Sequence, residues 1–151
     1  MSESLTNSIE IACPPQTLYD YVTQPWRWHE WHPSSKSAKA DSDVLQAGDG
    51  FDEVVELEPF SPLPIRLKRA TRYKVLEAVP PSRWVVKGEM KDGWLQIEYD
   101  FEPTTHGVRF TRTLSYDAGG LSWLLMGFLK PRMRTLSVVA LNNLRTRLES
   151  A

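Results

Sequence analysis

The chain has 151 residues, 41% of them hydrophobic and 25% charged, enough apolar material for one domain with a single core. Its formal net charge of −1 offers no basic field to a nucleic-acid backbone, so no nucleic-acid partner is expected. One cysteine, Cys13, excludes an intrachain disulfide and fits a reducing, cytoplasmic compartment.

The opening "MSESLTNSIEIACPP" has neither the basic nor the apolar segment of a secretory signal. Its "LTNSIEIA" alternates weakly and ends at Cys13-Pro14-Pro15, which predicts a short first strand. "PPQTLYDYV" then sets Leu18, Tyr19 and Val22 at helical spacing, with Pro15 suited to a helix start. Pro25 stops that helix, and "WRWHEWH" predicts a second short one closed by Pro33.

Runs of period two follow. One face carries Phe51, Glu53, Val55 and Leu57; the next run carries Ile65, Leu67, Arg69, Thr71, Tyr73 and Val75. "RWVVKGEM" aligns Trp84, Val86, Gly88 and Met90, and "KDG" signals a hairpin turn. "WLQIEYDF" puts Leu95, Ile97, Tyr99 and Phe101 on one side; "VRFTRTLSY" aligns Val108, Phe110, Arg112, Leu114 and Tyr116. Such alternation gives one buried and one wet face, as in an antiparallel sheet. The chain closes with a helix from about Leu121 to Leu148, whose second half steps through Met133, Leu136, Ala140, Leu144 and Leu148. Pro131, one turn after Gly127, predicts a kink or break in it.

No internal repeat or low-complexity linker divides the chain, so residues 1–151 read as a single domain. The expected class is α+β: a curved antiparallel sheet of about six to seven strands around a long C-terminal helix, with two short helices after the first strand. The stretches "SIEIACPPQTLYDYVTQPWRWHEWHPSS", "YKVLEAVPPSRWVVKG" and the closing "LNNLRTRLES" carry a resemblance over nearly the whole chain. It resembles the START-like helix-grip (SRPBCC) superfamily, in its polyketide cyclase/dehydrase and lipid-transport branch. That resemblance implies an apolar cavity between sheet and long helix that holds a hydrophobic ligand. The resemblance selects no single activity, and no cofactor is expected.

The shared parity of the strands places Trp84, Val86, Leu95, Ile97, Tyr99, Phe110 and Leu114 opposite Met133, Leu136 and Ala140. Three charges interrupt the apolar faces: Glu53, Arg69 and Arg112. A buried charge needs a partner. Either Glu53 and an arginine satisfy each other, or an arginine holds a ligand's carboxylate, phosphate or enolate oxygen. Arg112 is the stronger ligand contact of the two arginines, because it alone breaks an otherwise apolar row. The candidate ligand-binding set is therefore Arg112, Arg69, Glu53, Trp84, Tyr99, Phe110, Met133 and Leu136.

Elsewhere the chemistry is sparse. "HEWH" places His29 and His32 three residues apart, one short of the zinc-protease spacing and lacking an evident third ligand, so no metal is expected. Trp28 and Trp31, at the same spacing, read as a plug for one end of the sheet, with Trp26 flanking the mouth. No nucleophile–base pair and no glycine-rich phosphate loop is visible. The run Leu121 to Leu129, too short to span a bilayer, precedes Lys130, Arg132 and Arg134. It reads as a packed helix start or as a patch making weak peripheral membrane contact. Three functions stay open: a carrier of a lipid, isoprenoid or polyketide-like molecule, a cyclase or dehydratase, and a protein-interaction module. The missing acid–base set favours the first.

Overall fold

The computed structural model describes residues 3–57, 67–90 and 93–150, with the side chains of 57, 67, 90, 118 and 120–129 outside the description. Seven strands form one antiparallel sheet: β1 (Glu3–Ile11), β2 (Ser35–Ala40), β3 (Gly50–Leu57), β4 (Leu67–Val79), β5 (Arg83–Met90), β6 (Gly93–Pro103) and β7 (Val108–Ala118). Between β1 and β2 lie α1 (Pro15–Val22) and a 3-10 helix (Pro25–Glu30), and α2 (Gly120–Glu149) closes the chain. The spatial order is β1-β7-β6-β5-β4-β3-β2, so the two strands nearest the N-terminus end on opposite edges. This is the α+β helix-grip arrangement.

The parity read from the sequence holds over most of the sheet. Inner-face Phe51, Tyr73, Val75, Trp84, Val86, Ile97, Tyr99, Phe101, Val108, Phe110, Leu114 and Tyr116 are buried. On the outer face Arg83 pairs with Glu77, Glu98 and Asp100. Two helices cover the inner face from opposite edges. The 3-10 helix packs on β2 and touches β3, while α2 packs on β1 and β7. α2 buries Ser137, Ala140, Leu141 and Leu144, with Met133, Leu136 and Leu148 half-buried beside them.

Trp28 of the 3-10 helix is the hub of the core at the β2 side. Its indole N–H donates to the Val22 carbonyl at 2.7 Å. Its ring meets Phe51, Trp84 and Tyr99 edge-on at 5.5, 6.1 and 6.4 Å between centroids. Edge-to-face contacts of this kind add to the area a ring buries. Gly88 makes room in the same layer: a Cβ there would stand 2.6 Å from Thr71 Cγ2 and 3.1 Å from the ring of Tyr73.

Two expectations change. β2 gives no period-two signal because "SKSAKA" is small and polar; it is an edge strand, where lysines discourage further pairing. Of the kink or break expected at Pro131, the break does not occur: the helix runs through it. A proline removes one backbone bond, which a 30-residue helix anchored along β1 and β7 absorbs. Ile65 and the expected strand ends and turns at 58–66 and 91–92 lie outside the described residues.

Candidate functional site

A row of inner-face residues crosses three strands: Trp84 on β5 pairs with Tyr99 on β6, which pairs with Arg112 on β7. Alternation dictates that all three point inward. Arg112 is buried, pulls electrostatically on the Tyr99 phenol beside it and leaves its Nε without a hydrogen-bond partner among the described residues. Two further buried donors, Trp31 Nε1 and Trp84 Nε1, also lack partners among them. A desolvated N–H without an acceptor costs about 1–3 kcal/mol, so such groups call for an explanation.

Glu53 reaches the same interior from β3. It is buried and accepts a hydrogen bond from Ser35 Oγ at 2.8 Å. Burial pushes its carboxyl up to about 7, against the opposing pull of that hydroxyl and of the Arg112 charge. Arg112 acts on Glu53 through space rather than through a direct hydrogen bond. Burial also raises Tyr73 well above the ordinary phenol range, with Glu53 adding to the effect, and raises Tyr99 to about 12.

His32 completes the cluster. Its Nδ1 accepts from the Ser34 backbone N–H at 3.3 Å and lies 2.9 Å from Ser34 Oγ. Burial, helped by Arg112, holds its pKa down to about 3. The ring is therefore neutral near pH 7, and its remaining proton sits on Nε2. The interior thus offers a permanent cation, a carboxyl that exchanges its proton near neutrality, two phenols and a neutral imidazole. It can receive an oxygen atom of a ligand and can move a proton to or from it.

The eight residues expected at the site divide into groups. Glu53 and Arg112 meet in the interior cluster. Trp84, Tyr99 and Phe110 are almost fully buried, and Trp84 and Tyr99 lie packed against Trp28 at the closed end. Met133 and Leu136 are half-buried on α2, and Met133 lines a cavity at the seam between β1 and α2. Arg69 shares the inner parity of β4 but is exposed, opposite Val55 and near the strand start, apart from the buried cluster. Ser35, His32 and Tyr73 were not foreseen as site residues. Tyr73 shared the parity of the inner face and could have been included. Ser35 required knowledge of β2, and His32 was weighed only as a metal ligand. The run 121–129 has side chains outside the described residues. Among the described residues no helix is long and apolar enough to cross a membrane.

The family model for polyketide cyclase / dehydrase and lipid transport matches residues 2–149. The chain belongs to this family. Its members share the SRPBCC helix-grip architecture described above. The di-domain ARO/CYC protein StfQ from the steffimycin biosynthetic pathway is 15% identical with a TM-score of 0.77, covering 99% of this chain and 52% of its own. Protein TTHA0849 from Thermus thermophilus is 14% identical with a TM-score of 0.72, each chain covered to 98%. An uncharacterised protein from Rhizobium leguminosarum is 16% identical with a TM-score of 0.70, covering 100% of this chain and 97% of its own. At these identities the likeness is one of fold. Among curated proteins none matches the sequence. The polyketide cyclase / dehydrase and lipid transport family has a fold suited to hydrophobic small molecules, and the inner face of this member is built accordingly.

Proposed function

We propose that this chain binds or carries a hydrophobic small molecule, lipid, isoprenoid or polyketide-like, between the sheet and α2, with an oxygen atom of the ligand received by Arg112. The observation that carries the proposal is the buried Arg112 guanidinium with an unpartnered Nε, in a face lined largely by apolar and aromatic groups with Glu53 and Thr71 among them. A cation in that setting is stabilised by any acceptor oxygen it can reach. Met133 and Leu136 supply the apolar wall at the open end, and Trp84, Tyr99 and Phe110 form its closed floor.

The second reading, a cyclase or dehydratase, draws on Glu53. A carboxyl poised near neutrality beside a cation and two phenols is what a proton-transfer step on a carbonyl compound requires. The first reading stands ahead because the hydrogen-bond partner of Glu53 is the Ser35 hydroxyl, and among the described residues no second titratable side chain is hydrogen-bonded to it to complete an acid–base pair.

Native mass spectrometry of the protein as purified from cells tests for a retained small molecule. Titration with 2-naphthol and with naphthalene then tests the role of Arg112. Wild type is expected to prefer the naphthol, and Arg112→Met to lose that preference while still binding naphthalene. Equal weakening of both ligands would remove Arg112 from the site.

A further inference from the structure

A cavity of about 250 Å3 lies at the seam between edge strand β1 and α2, lined by Glu3, Ser4, Leu5, Tyr116, Lys130, Met133 and Arg134. It is separate from the Arg112 cluster. Arg112 and Tyr116 are four residues apart on β7, which puts roughly 13 Å of strand between them. Its floor belongs to the concave face, because Leu5 pairs with Leu114 and Glu3 with Tyr116 on the inner parity. Its rim is charged. Lys130 and Arg134 stand one helical turn apart on the same side of α2.

The one carboxylate lining the cavity shows what these groups recognise. Glu3 accepts from Lys130 Nζ through Oε1 and from the Tyr116 hydroxyl through Oε2, the latter at 2.9 Å. Arg134 acts on Glu3 through space. Two cations and a phenol hydroxyl therefore surround a single carboxylate, and the rim keeps one positive charge in excess. Leu5, Met133 and the ring of Tyr116 provide apolar surface directly beneath it. Cation above and hydrocarbon below is the complement of an acidic head with an apolar chain.

We propose that this seam is the head-group site for an anionic amphiphile, its carboxylate or phosphate held by Lys130 and Arg134 and its chain laid over Leu5, Met133 and Tyr116 toward the concave face. Glu3 is the internal competitor: it occupies Lys130 and Tyr116 with a carboxylate of the chain's own, and an incoming anion must displace it. The pairs are half-exposed, with Lys130 and Glu3 side chains 40% and 41% accessible, so exchange between them and a ligand is inexpensive. Only the path of the chain into the cavity rests on the function proposed above; the head-group contacts do not.

Isothermal titration at pH 8 and low ionic strength, with decanoate, decanol and inorganic phosphate as probes, tests this. Glu3→Gln is expected to tighten decanoate about threefold, and Lys130→Met and Arg134→Met each to weaken it about threefold, with decanol unchanged. Added salt is expected to weaken decanoate alone. No gain in Glu3→Gln, or equal losses for decanoate and decanol, would overturn the head-group site while leaving the cavity reading intact. Inorganic phosphate displacing decanoate at comparable concentration would also overturn it, because the apolar floor would then contribute nothing. Failure of decanoate and decanol alike to bind wild type would overturn both proposals.

Discussion

Tyr99 stands directly across from Arg112 in the β6–β7 ladder, and the guanidinium works against the rise that burial imposes on its phenol. The Arg112 Nε is unpartnered among the described residues. Through space, the same guanidinium draws down the pKa of Glu53 across the concave face. Arg112→Met is therefore expected to cost about 1–2 kcal/mol at pH 6, where the main loss is the polar interaction with Tyr99. The cost grows at pH 8, because the ionised Glu53 loses the cation that favoured it. Chemical denaturation at the two pH values measures this, and adding Glu53→Gln should erase the pH-dependent part. A cost independent of pH would show that Arg112 and Glu53 are not coupled.

Glu53 itself sets a stability profile. Its folded pKa of about 7 lies above the ordinary 4.5, so the folded state holds a proton that the unfolded chain releases. Stability then falls as pH rises from about 4.5 to about 7 and levels off above, a loss on the order of 3 kcal/mol. Glu53→Gln keeps an acceptor for Ser35 and has no proton to lose. It should match wild type near pH 4.5 and exceed it at pH 8 in urea denaturation.

Trp28 should be the costliest of the clustered tryptophans near the N-terminus to truncate. Trp28→Ala opens a cavity among Phe51, Trp84 and Tyr99 and is expected to cost about 3–5 kcal/mol. Trp28→Phe retains ring contacts and loses the bond to the Val22 carbonyl. A cost of about 1–2 kcal/mol is expected there from thermal or urea unfolding.

Gly88→Ala should destabilise by about 1–3 kcal/mol, since the new methyl must displace the branched Thr71 side chain or the Tyr73 ring. Relief by a second change, Thr71→Ser, which removes the clashing methyl, would confirm that the clash is the cause. Double-mutant unfolding measurements read this directly.

Much of the architecture was legible in the chain because burial on one face of a strand imposes a period of two, and residues such as Ile97, Tyr99, Phe110 and Leu114 carry it without ambiguity. The resemblance in "SIEIACPPQTLYDYVTQPWRWHEWHPSS" added the family, and the stripe Ala140, Leu144 and Leu148 marked the covering helix. The inward direction of Glu53 and Arg112 was also local information, since alternation alone decides it. β2 was not legible: an exposed edge strand such as "SKSAKA" has little to bury and so needs no pattern.

Which buried groups meet was decided only by tertiary structure. β3 and β7 are separated by three strands in the sheet, so the coupling of Glu53 with Arg112 exists because the sheet curves and brings distant strands face to face. Arg69 is exposed although it shares the parity of buried Tyr73 four residues along the same strand. The contact of Glu3 with Lys130 joins residues at the two ends of the chain. Periodicity reports the face on which a side chain lies; desolvation and long-range charge coupling depend on what the fold places opposite that face.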